Sequence, residues 1–316
     1  MTPPLPLVYN KLNSAAIGAA LWGEGSSLKI RFIEPGNRPY KPTPLNAFVY
    51  DRYIRTPSVG LNTLATICKR VVEDTYMYSE SISKVVMEDV LDADIVFIGI
   101  FTFAAPRGYK IARYLKRRSK AVVVLGGLHA SMNYGEAARY CDYVLLGEGD
   151  ESILTFIDCV KNNKPMDFPG LAYYRHGRLI YTGYPKPPEN IDIIPDRNLI
   201  YHYKKMAGHN TIWPQVHASR GCPHNCDYCA LVRHFGHRVR TRTPENIVED
   251  IRRSIDFLIV AISGWRGRFG LQMITFLLTG SGRWLSFGRL LTAVFITGLM
   301  FRQDMRLALT MKCLSF

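Results

Sequence analysis

Acidic residues are in short supply in this chain of 316 residues: 26 against 40 lysines and arginines, a formal net charge of +14. The shortfall is uneven. From Phe257 to the end a single acid, Asp304, stands against seven basic residues, and the part before it is only mildly basic. Such a balance invites a nucleic-acid reading. The densest patch, Lys116-Arg117-Arg118, reads instead as the solvated C-terminus of a helix, where cations meet the negative end of the dipole. No nucleic acid is expected as a partner. Long apolar runs are missing as well. The uncharged run Leu290 to Phe301 near the end falls far short of the ~20 residues that span a bilayer, so no membrane partner is expected. The opening Met1-Thr2-Pro3-Pro4-Leu5-Pro6 lacks the basic-then-apolar order of a secretory signal. With seven cysteines, this points to a reducing, cytoplasmic setting. Internal repeats and low-complexity segments are absent. Apolar residues are ample at 47%, enough for a real core, and the length leaves room for two domains.

Four of the cysteines, Cys68, Cys141, Cys159 and Cys313, are scattered. The other three share the stretch Ser219-Arg-Gly-Cys-Pro-His-Asn-Cys-Asp-Tyr-Cys229, where Cys222, Cys226 and Cys229 follow a C-x3-C-x2-C spacing and Tyr228 precedes the last thiol. Three thiolates on one tight loop can hold three irons of a cubane cluster. All-cysteine iron–sulfur sites normally use four, so a missing fourth leaves one iron open to substrate or cofactor. A Cys3His zinc site with His224 is the competing reading. Zinc, however, usually draws on two separated ligand pairs, and here every donor falls within eight residues. Ferredoxin spacings also differ from this one.

The loop resembles the cluster motif of the radical SAM superfamily, C-x3-C-x-aromatic-C preceded by a short strand. Trp213 to Ala218 reads as that strand. Thr243-Pro244-Glu245 opens a helix, with Thr243 as N-cap, Pro244 at the first helical position, and Glu245 and Glu249 favouring the first turns. Ile247, Val248, Ile251 and Ile255 give that helix an apolar stripe. The resemblance implies that Cys222, Cys226 and Cys229 bind a [4Fe-4S] cluster whose open iron chelates S-adenosylmethionine. It further implies reductive cleavage of the sulfonium to a 5′-deoxyadenosyl radical. Tyr228 would lie near the adenine, against the plain alternative of a packing role. A small-molecule substrate and a low-potential electron donor such as flavodoxin or ferredoxin are implied in the same way.

The N-terminal half alternates strands and helices. Leu28 to Ile33, Asp94 to Ile100, Ala121 to Leu125 and Tyr143 to Leu146 read as strands; Pro106 to Arg118, Asn133 to Tyr140 and Asp150 to Lys161 read as helices. This rhythm predicts an α/β fold, a Rossmann-like doubly wound parallel sheet. Ligands of such sheets bind at the carboxyl ends of the strands. That points to Phe101-Thr102-Phe103, Gly126-Gly127-Leu128-His129 and Gly147-Glu148-Gly149. Gly126 and Gly127 equally suit a tight turn with no ligand, and a lone His129 equally suits a hydrogen-bonded loop. This half resembles the cobalamin-binding domain that precedes the radical SAM core in one large subgroup. The resemblance places Thr102, Gly126, Gly127, Gly147, Glu148 and Gly149 on a candidate cobalamin face. It departs in one respect: the Asp-x-His-x-x-Gly string that ligates cobalt from below is absent, and Ser79 to Lys84 offers no histidine. Cobalamin without a protein ligand, or none, is what remains.

Five segments follow: an N-terminal segment, 1–27; the cobalamin-binding-like domain, 28–170; a hairpin turning at His176-Gly177 and a stiff proline-rich linker, 171–204; the start of a (β/α) radical SAM partial barrel, 205–256; and an anomalous basic tail, 257–316. In the tail, Gly, Arg, Trp and Phe mix without helical or strand period. A frame shift accounts for this. Leu271 to Phe276, written in permissible codons and read one base earlier, becomes Phe-Ala-Asp-Asp-Asn-Phe, a string typical of the subgroup. Phe301 to Cys313 yields a second typical string in the same offset. The break is expected between Asp256 and Gly270, leaving a truncated core, inactive as encoded. The reaction is methyl transfer, cyclisation or rearrangement; no catalytic residue is named. The alternative function is a zinc-binding module with a basic tail contacting nucleic acid or membrane.

Overall fold

The computed structural model describes residues 28–36, 56–207, 212 and 215–259. The N-terminal segment and the tail from 260 onward lie outside the described residues.

Strand β1 (Lys29–Glu34), helix α1 (Val59–Lys69) and strand β2 (Asp74–Ser79) open the fold. Short α2 (Met87–Leu91) leads to β3 (Ile95–Gly99), and a 3-10 turn at Thr102–Ala104 runs into α3 (Ala105–Arg118). Then come β4 (Val122–Gly126), α4 (Leu128–Met132), α5 (Tyr134–Ala137), β5 (Tyr143–Leu145) and α6 (Ser152–Lys161). The hairpin β6 (Leu171–Arg175) and β7 (Arg178–Tyr181) completes a seven-stranded sheet of order β2-β1-β3-β4-β5-β6-β7. The first five strands are parallel; β6 and β7 are antiparallel. The order 2-1-3-4-5 is the doubly wound arrangement whose topological switch lies between β1 and β3.

The strands alternate cleanly between two cores. Ile30, Phe32, Ile95, Phe97, Val122 and Val124 face α1 and α6; Ile33, Val96, Ile98, Val123 and Leu125 face α3, α4 and α5. Both faces are covered, so the strands read as continuous apolar runs. One charge breaks the pattern. Arg31 is buried in β1, where Asp89 of α2 takes its Nε and Nη2 at 2.5 and 2.8 Å, and Asp74 lies at 2.8 Å. Burial opposes that guanidinium, and its two carboxylates outweigh the burial, raising its pKa.

The α/β doubly wound expectation holds, with several local corrections. Helix α1 and strand β2 were unforeseen. The α1 signal was present: Ser58 caps it by accepting from the Leu61 N–H, and Leu61, Ala65 and Cys68 form its inner stripe. Strand β2 is a polar edge strand, with Thr75, Met77 and Ser79 inward and Tyr76 exposed. The helix foreseen at 133–140 is shorter and preceded by α4. The hairpin is part of the sheet, because Leu171 and Ala172 pair with Leu145 and Val144.

Past the hairpin come a 3-10 turn at Arg197–Leu199, α7 (Tyr203–Ala207), β8 (Ser219–Arg220), α8 (Leu231–Phe235), β9 (Arg240–Thr241) and α9 (Pro244–Ile259). Of the strand expected over Trp213 to Ala218, residues 213 and 214 lie outside the described residues. Residues 215–218 are not in a strand; pairing begins at Ser219 and is antiparallel, with β9. Val216 and Ala218 are instead buried against Ile247 and Ile251 of α9.

Candidate functional site

The three cysteines sit on the loop that leaves β8. Gly221 turns the chain into it at φ +98, and an added Cβ would stand 2.1 Å from the Arg238 carbonyl oxygen. Only glycine permits that approach. The Cys222 N–H donates to the Gly236 carbonyl at 3.1 Å, closing the loop base, and the Cys229 N–H donates to the Cys226 carbonyl at 3.0 Å. Cys222 is buried, Cys226 exposed and Cys229 half-buried. Among the described residues no three His, Cys, Asp or Glu side chains converge closely enough to hold a metal ion as they stand. The donor set is thiol-only, the soft chemistry that suits iron–sulfur. His224 is exposed beside it. Tyr228 is 92% exposed. A hydrogen bond with Cys226 raises its pKa.

The loop docks on the parallel sheet through buried ions. Arg220 of β8 donates to Glu148 and Asp150, each at 2.8 Å. Arg240 of β9 donates to both oxygens of Glu148, at 3.1 and 2.5 Å, and to the carbonyls of Pro188 and Phe235. Glu148 and Asp150 belong to the turn after β5. Burial works against the charge of Arg220; Asp150 and Glu148 more than offset it and raise its pKa. Next to this cluster, burial and then Arg220 push His234 of α8 down to about 4. A second buried cluster holds α9. Asp250 accepts from Arg197 through one oxygen and from Arg242 through the other, both at 2.7 Å. None of these ionic contacts was anticipated from sequence. The only signal was a surplus of arginine, Arg220, Arg238, Arg240 and Arg242, around the cysteine loop.

The candidate face at the sheet's carboxyl ends divides in two. On one side, Phe101 and Phe103 are 41% and 61% exposed and stack at 5.6 Å. Gly126 lies next to them, since the Ile100 N–H donates to its carbonyl. A Cβ on Gly126 would meet nothing closer than 3.7 Å, whereas one on Gly127, at φ +90, would meet the Ile100 carbonyl oxygen at 2.9 Å. Gly127 thus serves the close approach of two strand ends. On the other side, Gly147 packs under Tyr184 and Pro185, Gly149 packs against Leu64, and Glu148 is occupied by the two arginines. His129 is spoken for. It bonds the Tyr109 hydroxyl through Nε2 at 3.0 Å and faces the Thr102 hydroxyl through Nδ1 at 3.3 Å. Burial lowers its pKa, favouring a neutral imidazole.

Glu34 ends β1 at the switch point. Its carboxyl group is enclosed, accepting from the Ser79 hydroxyl at 2.6 Å and the Ser58 N–H at 2.9 Å. Burial dominates those bonds and raises its pKa to about 7. A carboxyl raised in the folded state stabilises the fold while protonated. The stabilisation is complete below the ordinary carboxyl pKa and is lost as the pH rises toward about 7. Thermal midpoints should therefore fall from about pH 4.5 to pH 7 by an amount worth roughly 1–3 kcal/mol. Glu34→Gln should flatten that slope. A wild-type midpoint that climbs across the window by this group, judged against Glu34→Gln, contradicts the assignment.

No family model matches this chain. Among curated proteins it is 30% identical over 170 residues to the bacteriochlorophyllide d C-8(2)-methyltransferase of Chlorobaculum tepidum, an overlap of 54% of this chain and 35% of the relative. The chain therefore spans about a third of that relative's length. In fold it matches the cobalamin-dependent S-adenosylmethionine radical enzyme OxsB, solved with aqua-cobalamin and S-adenosylmethionine bound. The TM-score is 0.57 at 13% identity, covering 73% of this chain and 32% of that one. It also matches the radical S-adenosylmethionine methyltransferase TsrM of Kitasatospora setae, solved with cobalamin and a [4Fe-4S] cluster. There the TM-score is 0.53 at 13% identity, covering 72% and 46%. No helix among the described residues is long and apolar enough to cross a membrane.

Proposed function

We propose, for a chain that groups with the radical SAM proteins carrying an N-terminal cobalamin-binding-like domain, that its lineage performs reductive cleavage of S-adenosylmethionine in the service of methyl transfer or a related rearrangement of a small molecule. The observation that carries the reading is a loop with three thiols, Cys222, Cys226 and Cys229, docked by buried ion pairs onto the carboxyl end of a doubly wound sheet. Cys222, Cys226 and Cys229 would hold a [4Fe-4S] cluster, which when bound supplies one low-potential electron to the sulfonium. Tyr228, exposed at the loop, is the residue for the adenine. The stacked Phe101–Phe103 pair with Gly126 offers a flat open surface that suits a corrinoid ring, which when bound carries a methyl group. Thr102 and Gly127 shape that surface. His129 is held by Tyr109 and Thr102, so a corrinoid here takes no ligand from it.

A small-molecule substrate and a flavodoxin- or ferredoxin-like donor complete the proposal. Residues 257–316 are read as translated out of frame, so the chain as encoded is inactive and its frame-corrected form active. Anaerobic reconstitution tests the cofactor assignment directly. The expected product is brown, broadly absorbing protein with about four irons per chain. Cys222→Ala, Cys226→Ala and Cys229→Ala should each lose most of that iron. Colourless protein with one zinc, or iron that survives all three replacements, sinks the proposal. Stoichiometric S-adenosylmethionine cleavage by the uncorrected chain ends the frame-shift reading alone.

A further inference from the structure

Glu148 sits in a Gly-Glu-Gly turn at the carboxyl end of the sheet, yet its carboxylate points away from any open surface. Its side chain is 2% exposed, and both oxygens are used by guanidinium groups. Those two arginines are not arbitrary. Arg220 and Arg240 are register partners across β8 and β9, the two strands that form the base of the cysteine loop. Arg220 is two residues before Cys222. One carboxylate from the parallel sheet thus grips both strands of the ladder from which the thiols project, at a single rung.

Among the described residues the loop has few other anchors. The Arg238–Glu189 pair is exposed on both sides, and such pairs contribute little. Helix α8 is a single short turn. The Cys222–Gly236 backbone bond closes the loop on itself without fixing it to the sheet. Asp150 shares Arg220 but does not reach Arg240, and its Oδ1 has no partner among the described residues. Among the described residues, Glu148 is therefore the one side chain that bonds both strands to the sheet.

We propose that Glu148 is a positioning residue for the cysteine loop, setting the alignment of the three thiols through Arg220 and Arg240. The inference deepens the reading above, in that it rests on the loop being a metal-binding loop. It assigns Glu148 a role other than contact with a ligand on the sheet's open face.

The test uses the full chain as wild type, Glu148→Gln, Glu148→Asp and the double variant Glu148→Gln/Arg240→Met. Hydrogen exchange of residues 219–241 is followed without metal. Iron retained against a chelator is followed after anaerobic reconstitution, and the thermal midpoint reports on the whole fold. In Glu148→Gln the loop base should exchange about tenfold faster and shed iron sooner, while strands β3 and β4 keep their protection. Glu148→Asp should recover part of both. The double variant removes the unpaired buried guanidinium along with its partner, so its midpoint should return toward wild type. Its loop should stay fast to exchange and quick to lose iron. That separation distinguishes positioning from charge balance, and it survives if Glu148→Gln alone fails to fold. Unchanged exchange in Glu148→Gln overturns the inference, as does a double variant whose loop regains full protection. Wild-type protein that binds no iron defeats the cofactor reading, while the exchange data still decide the clamp.

Discussion

Asp250→Ala should cost the fold about 3–5 kcal/mol, the range for removing one partner of a buried ion pair. Asp250 has no exposed side-chain surface, and each of its oxygens accepts from a different arginine at 2.7 Å. Arg197 and Arg242 are themselves nearly fully buried. Arg197 keeps bonds to the Pro195 and Gln215 carbonyls, and Arg242 keeps bonds to the His217 carbonyl and to Asn246, but none of these neutral acceptors cancels a full charge. Removing the carboxylate leaves two buried cations side by side, and dipoles cannot repay that desolvation. The consequence is local as well as global. Asp250 lies on α9, whose Ile247 and Ile251 form a small core with Val216 and Ala218. Freed of its anchor, α9 should separate from the segment leading into the cysteine loop. Denaturant unfolding measures the loss. Asp158→Ala is the control, because the Asp158–Lys164 pair is half in water and its removal should leave the midpoint where it was. An Asp250→Ala midpoint equal to that control would show that the two guanidiniums find other partners.

Gly221→Ala should abolish retention of iron at the loop, with a smaller effect on the rest of the chain. The added methyl would lie 2.1 Å from the Arg238 carbonyl oxygen and 2.9 Å from its carbon. Both are backbone atoms of the returning limb, so no side-chain rotation relieves the overlap. The residue also sits at φ +98, a region that costs a non-glycine residue on the order of 1–3 kcal/mol. Relief requires β8 and β9 to part at the point from which Cys222 enters the site. Gly177→Ala separates the two causes. Gly177 has a positive φ of +75 but nothing within 4 Å of its Cβ position, so it pays the conformational cost without the clash. Gly221→Ala that loads iron like Gly177→Ala would mean that the loop tolerates an open base.

Much of the architecture was legible because its signals are local. The runs at 95–99 and 122–126 announce doubly covered strands by composition alone, and the Ala105–Arg118 helix ends on the three cations its dipole favours. The cysteine spacing is legible for the same reason. Strand β2 was not, because an edge strand that buries Thr75 and Ser79 beside Met77 lacks the apolar alternation that marks a strand. Ahead of the loop, Val216 and Ala218 are buried in a small core without being part of a strand.

The candidate site divides along the same line. Its thiols, its glycine hinge and the aromatic at its tip lie within eight residues of one another, so short-range chemistry announces them. Its placement depends on Glu148 meeting residues 72 and 92 positions away and on Arg197 meeting Asp250 across 53. A lone glutamate between two glycines looks the same on paper whether it greets a ligand or a guanidinium. Spacing along the chain by itself determined the cluster of three thiols and the alternating layers, because both are properties of neighbours. Only the folded chain decided which carboxylate locks which arginine, because a buried charge must find its opposite in space and the sequence carries no record of that distance.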